Sequence, residues 1–115
     1  MPQRDSSYLT DIINAAEQIE EFIADIDKRQ FEESALVQSA VIRQIEVIGE
    51  ATKRLSQTFT SEHPEIPWKN MAGMRDILIH AYDHVDIDEL WNAASASIPA
   101  LLKKIRAIIA DEYGK

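Results

Sequence analysis

The sequence predicts an all-α fold, an up-and-down bundle of four long helices with the last kinked or split at Pro99. Three observations carry this. Apolar residues recur at spacings of three and four along most of the chain, the period of one helix face. Only 3 Gly and 4 Pro interrupt the 115 residues. No stretch alternates apolar with polar residues as a half-buried strand does, and no segment repeats. A chain of this length supplies one core, so residues 1–115 are expected to form a single domain.

The first helix is expected between residues 5 and 26. There Tyr8, Ile12, Ala15, Ala16, Ile19, Phe22, Ile23 and Ile26 share a face, with Asp5 or Ser6 as N-cap. Residues 27–33 read as a short connection. A longer helix follows from about residue 34 to 59, with Leu36, Val37, Ala40, Val41, Ile45, Ile48, Ala51 and Leu55 on its apolar stripe. Gly49 inside it costs ~1 kcal/mol relative to Ala, a cost usually tolerated where another backbone packs closely. The segment TSEHPEIPW is a loop punctuated by two prolines. Pro67 suits the first position of a third helix through WKNMAGMRDILIHAY. A fourth helix opens at Asp86, where Asp86 and Glu89 have capping-box spacing and Leu90 and Trp91 begin the stripe. Pro99 interrupts it before LLKKIRAIIADEY. Trp68, Trp91 and the methionines read as packing residues.

Charge narrows the function classes. Twelve basic against twenty acidic residues give a net charge of −8, which argues against a broad nucleic-acid-binding surface. The acid is concentrated in residues 11–33. Arg43, Lys53, Arg54, Lys69, Arg75, Lys103, Lys104 and Arg106 come later and leave room for a local basic cleft. With no cysteine there is neither a disulfide nor a thiolate metal site. No apolar run has signal-peptide or membrane-spanning length, so a cytoplasmic protein is expected.

Chemistry-bearing residues crowd into MRDILIHAYDHVD, which holds Arg75, Asp76, His80, Tyr82, Asp83 and His84. Arginine is permanently charged and presents a fork suited to phosphate oxygens. Histidine accepts and donates protons near neutral pH. Tyrosine adds a hydroxyl and a face on which a base can stack. Together they suit phosphodiester cleavage without a metal or cofactor. Plainer readings compete. Asp76 and His80 have the spacing of a surface pair on a helix. His80 and His84 share that spacing, which with Asp76 is also a weak metal-ligand pattern.

On an ideal helix Arg75 and His80 project ~140° apart, while Arg75 and Tyr82 nearly align. Either the helix unwinds near His80, or two copies of the chain complete the site. The second is the favoured expectation, because Gly73 beside Met71 and Met74 offers a small apolar surface. The expected homodimer interface lies near the third helix and the Gly49 region of the second.

The octet RDILIHAY reads Arg-x-x-x-x-His-x-Tyr and resembles the signature of HepT-like proteins of the HEPN group. The flanking blocks IGEATKRLS, HPEIPWKNMAGMRD and VDIDELW are similar to that family's blocks, in the same order. The resemblance covers about residues 8 to 107. It implies an all-helical HEPN fold and a homodimer whose signature residues face one cleft. It also implies a toxin–antitoxin role: the toxin is a metal-independent endoribonuclease acting on RNA, and its partner is a minimal nucleotidyltransferase antitoxin that transfers AMP from ATP to the signature tyrosine. On this chain Arg75 and His80 would be the catalytic pair, Tyr82 the AMPylation site, and Asp76 and Gly73 supporting residues. The alternative is a non-enzymatic helical dimer that binds a nucleotidyltransferase or a nucleotide, an alternative that the acidic charge keeps open.

Overall fold

A computed structural model describes residues 3–80 and 84–113 of the chain. Helix α1 spans Gln3–Ile23, and α3 spans Ala35–Arg54. They lie side by side as the main packed pair, with the C-terminal helix α8 (Ile98–Tyr113) against α1. Leu9, Ile12, Ala15, Ala16 and Ile19 of α1 interleave with Val41, Ile45, Ile48 and Ala51 of α3 and Ile98, Leu102, Ile105 and Ile108 of α8 in one apolar cluster. Most of the expected stripe positions therefore lie in the core or partly buried against its edge. Leu36 is 81% exposed, and Leu9 joins the core one residue beyond Tyr8.

Shorter elements differ from expectation for local reasons. The connection at 27–33 contains a helix, α2 (Lys28–Glu32). A complete capping box starts it: Asp27 Oδ1 accepts from the Gln30 N–H, and Gln30 Oε1 accepts from the Asp27 N–H. Buried Phe31 anchors α2 against Trp91, with ring centroids 5.2 Å apart. Lys28 donates to Asp88 at 2.9 Å, and this bond raises its pKa above the ordinary lysine value.

The second long helix stops at Arg54 instead of near residue 59. Leu55 is extended, and Ser56 opens a separate helix α4 (Gln57–Glu62) by accepting the Phe59 N–H on its hydroxyl. Asp5 holds that break. It is not the N-cap of α1 but a buried residue inside its first turn, accepting the Ser56 N–H at 2.8 Å and the Ser56 O–H at 2.6 Å. A carboxylate can be buried there because both bonds satisfy it.

The last helical run also has a defined irregularity. Helix α7 (Ile87–Asn92) passes into a π-helical segment, Ala93–Ser97, and then into α8. Asp86 caps α7 by accepting the Glu89 N–H, half of the expected box. The Ile98 N–H reaches back to Ala93 O, and Ser95 Oγ donates to Trp91 O. The π turn lies immediately before Pro99, which has no N–H to give and crowds the carbonyl four residues earlier. The expected break at Pro99 is thus present and spread over the preceding turn.

Candidate active site

The third helix of the sequence reading is three pieces. Pro67 is the N-cap, and its carbonyl accepts the Met71 N–H. Helix α5 is Trp68–Ala72, Gly73 ends it, and α6 is Met74–Leu78. Beyond Leu78 the chain is extended: Ile79–His80 (β1) pairs antiparallel with His84–Val85 (β2), Ile79 opposite Val85 and His80 opposite His84. Two causes favour this. Ile79 and Val85 are β-branched and suit a ladder. Asp86 must also be extended to cap α7. The helix therefore does unwind near His80, the resolution that sequence reasoning did not favour. Arg75 and His80 are not on one helix, and the argument for a shared site from their helical divergence lapses. The helical spacings Asp76–His80 and His80–His84 lapse with it, and the ladder sets His80 opposite His84 instead. The His80 side chain and Tyr82 lie outside the described residues.

What brings Arg75 to a definite place is α3. Gly49 is buried, and a Cβ there would stand 3.2 Å from Ala72 O and 3.6 Å from Met71 O, so its lack of a side chain lets the end of α5 rest on α3. Gly49 thus serves packing within the chain. Met71 is likewise in the core at 1% exposure, which removes it from the apolar surface expected around Gly73. Gly73 and Met74 remain partly exposed.

Two residues past Gly73, the Arg75 guanidinium reaches over α3. Its Nε lies 3.3 Å from Glu46 Oε1, and its Nη1 lies 3.8 Å from Asp76 Oδ1. Arg75 is half exposed and Asp76 is mostly exposed. They border a recess of about 190 Å³ between α3 and the α5–α6 turn, with Glu46, Glu50 and Lys53 on its α3 wall. A second recess of about 320 Å³, between α1 and α3, shares Glu46 and Glu50 and adds Tyr8, Arg43 and Arg54. These walls mix both charges, so the expected local basic cleft is a mixed-charge surface on which Arg54 and Arg75 each face a carboxylate. Arg54 Nε faces Glu50 Oε2 at 3.7 Å, much as Arg75 faces Glu46.

Glu46 was missed by sequence reasoning. A signal existed: Glu46, Gly49, Glu50 and Lys53 fall on one face of α3, and Gly49 already marked that face for close approach. Elsewhere, His63 is held between Glu112, 3.4 Å from its Nε2, and Glu65, 3.9 Å from its Nδ1. Ligand-type atoms of Glu62, His63 and Glu112 lie within 4.8 Å of one another. No helix among the described residues is long and apolar enough to cross a membrane.

Chemically, the recess presents a guanidinium with Glu46 at its Nε edge and the exposed Asp76 3.8 Å from Nη1, and an exposed ammonium from Lys53 lies beside it. That set can hold a phosphate oxygen. Comparison with known proteins agrees in kind. The profile of the family described as "Ribonuclease HepT-like" matches residues 12–108. The chain is 45% identical over 108 residues to "Probable ribonuclease HepT" of Thermococcus cleftensis, covering 94% of this chain and 98% of that protein. It is 41% identical over 112 residues to a Methanocaldococcus jannaschii protein named "Putative RNase MJ0125", covering 96% and 97%. A second protein of that organism, "Putative RNase MJ1380", is 37% identical over 109 residues, covering 94% and 100%. No solved structure matches the chain. A profile match over most of the chain, with relatives this similar along their whole length, means that the chain belongs to the HepT-like ribonuclease family.

Proposed function

We propose that this chain is the endoribonuclease toxin of a toxin–antitoxin pair, cleaving RNA without a metal and acting as a homodimer in the cytoplasm. One observation carries the reading. The segment that resembles the family signature places a half-exposed guanidinium, Arg75, at the mouth of a recess on α3. In this reading Arg75 binds the scissile phosphate and stabilises the charge that builds on its oxygens. His80 takes the proton of the ribose 2′-hydroxyl as that oxygen attacks phosphorus, or gives a proton to the departing 5′-oxygen. The new bond is 2′-O–P and the broken one is P–O5′. A histidine from each protomer facing one cleft would divide the two proton transfers.

Control belongs to Tyr82. Transfer of AMP from ATP by a minimal nucleotidyltransferase antitoxin would place bulk and negative charge next to the phosphate site, opposing RNA by sterics and repulsion. Asp76 and Gly73 support the site: Asp76 lies against Arg75, and Gly73 ends α5 so that α6 can turn over α3.

The test is cleavage of labelled RNA by the purified protein in EDTA. Wild type is expected to cut, and folded Arg75→Ala and His80→Ala variants to lose the activity. Loss in EDTA with recovery in a divalent ion would replace the metal-free mechanism. No cleavage by wild type under any of these conditions would leave the non-enzymatic dimer as the better reading. In the same preparation, incubation with ATP and the nucleotidyltransferase should add AMP masses to wild type and none to Tyr82→Phe.

A further inference from the structure

We propose that Glu46 is a positioning residue for Arg75, fixing the Nε edge of the guanidinium so that the Nη edge faces the scissile phosphate. The proposal rests on the reading of Arg75 given above. Its basis is the contact between Arg75 Nε and Glu46 Oε1 at 3.3 Å, which joins two elements of very different rigidity. Arg75 sits on α6, five residues long and bounded by the Gly73 turn and the end of helix at Leu78. A helix this short does not hold its own conformation. Glu46 sits on α3, twenty residues long, between buried Ile45 and Ile48. The ion pair ties the short helix to the long one.

The division of the guanidinium is chemically suited to the task. Arginine has five N–H donors in a planar fork, and a carboxylate on Nε leaves the Nη donors for another acceptor. Asp76 is the other carboxylate near them, but at 3.8 Å from Nη1 and mostly exposed it is easily displaced by a phosphate. Glu46 is less exposed than either Arg75 or Asp76, so its contact is screened less by water.

Glu46 also has a cost, because a carboxylate beside the recess repels phosphate. That cost gives the proposal a signature. Removing the charge should relieve the repulsion and leave KM unchanged or lower, while the loosened guanidinium lowers kcat. A bystander charge predicts the opposite, an unchanged or higher kcat. A merely structural residue predicts loss of folded protein with kcat per folded molecule preserved.

The experiment compares wild type, Glu46→Gln and Glu46→Ala in two readouts: RNA cleavage in EDTA, and the order of the Arg75 side-chain Nε–H group by NMR. Glu46→Gln keeps shape and an acceptor and is expected to fall between the other two. In Glu46→Ala, kcat is expected to drop about a hundredfold, the scale of a misplacement of ~1 Å, with the Nε–H group losing order and the melting temperature nearly kept. An Nε–H group equally ordered in all three proteins would overturn the proposal, as would an unchanged or raised kcat in Glu46→Ala. Should Glu46→Ala fail to fold, Glu46→Gln decides on the same two readouts. A wild-type protein that cuts no RNA sinks the ribonuclease reading, and the NMR comparison then decides the positioning role by itself.

Discussion

At Gly49 an added Cβ would stand 3.2 Å from a backbone carbonyl oxygen, whereas at Gly73 the nearest heavy atom, Lys69 O, lies at 3.6 Å. The two glycines flank the same recess, yet they answer to different constraints. Gly49 is where α5 rests on α3, and a side chain there must push Ala72 and the start of the Arg75 segment outward. Gly73 has an ordinary negative φ of −101° and room for a methyl group. Gly49→Val is therefore expected to cost about 1–3 kcal/mol in urea denaturation, the usual penalty for overpacking, and to lower cleavage as well. Gly73→Ala should stay within about 0.5 kcal/mol of wild type, as a surface change does. Equal penalties at the two positions would mean that α5 does not lean on α3 as described.

Among the elements, those that sequence patterning located best are those whose identity depends on many residues at once. The stripes of α1, α3 and α8 repeat over several turns, so one misread position such as Leu36 does not hide the helix. The short elements were harder to read because single side chains decide them. Ser56 breaks a long helix because Asp5, fifty-one positions earlier, fixes its N–H and hydroxyl. Glu46 acquires a role because α6 folds over it, and its spacing to Gly49 marks the face but not the arginine that arrives there. The signature arginine was legible at once; its carboxylate partner was not. Helix α2 is the sharpest case. Five residues are too few to be helical alone, so α2 must depend on its capping box and on Phe31, which is 0% exposed and packed on Trp91. Phe31→Ala is expected to cost ~3–5 kcal/mol and to expose the amides of Lys28–Glu32 to fast hydrogen exchange. A loss under about 1 kcal/mol, with those amides still protected, would show that the capping box suffices.

For the molecule as a whole, the open question is how a chain of net charge −8 engages a polyanion. The structure answers in part by setting four of its six arginines against carboxylates. Arg29, Arg54, Arg75 and Arg106 each face a carboxylate, and the Arg106–Glu17 contact ties α8 to α1. The recess itself offers Lys53 and Arg75. Two cations correspond to a slope of roughly −1.4 for log K against log salt on single-stranded RNA, where each neutralised phosphate contributes about 0.7. A dimer with both recesses in one cleft would give roughly twice that slope. The measurement is a salt titration of RNA binding by the folded His80→Ala variant, with light scattering on the same samples to count protomers. A dimer with the doubled slope supports a shared cleft, and a monomer with the smaller slope supports separate sites. A slope near −6 would need several more phosphate contacts than the recess supplies. Binding would then run over a wider basic surface, and affinity would no longer be centred on Arg75.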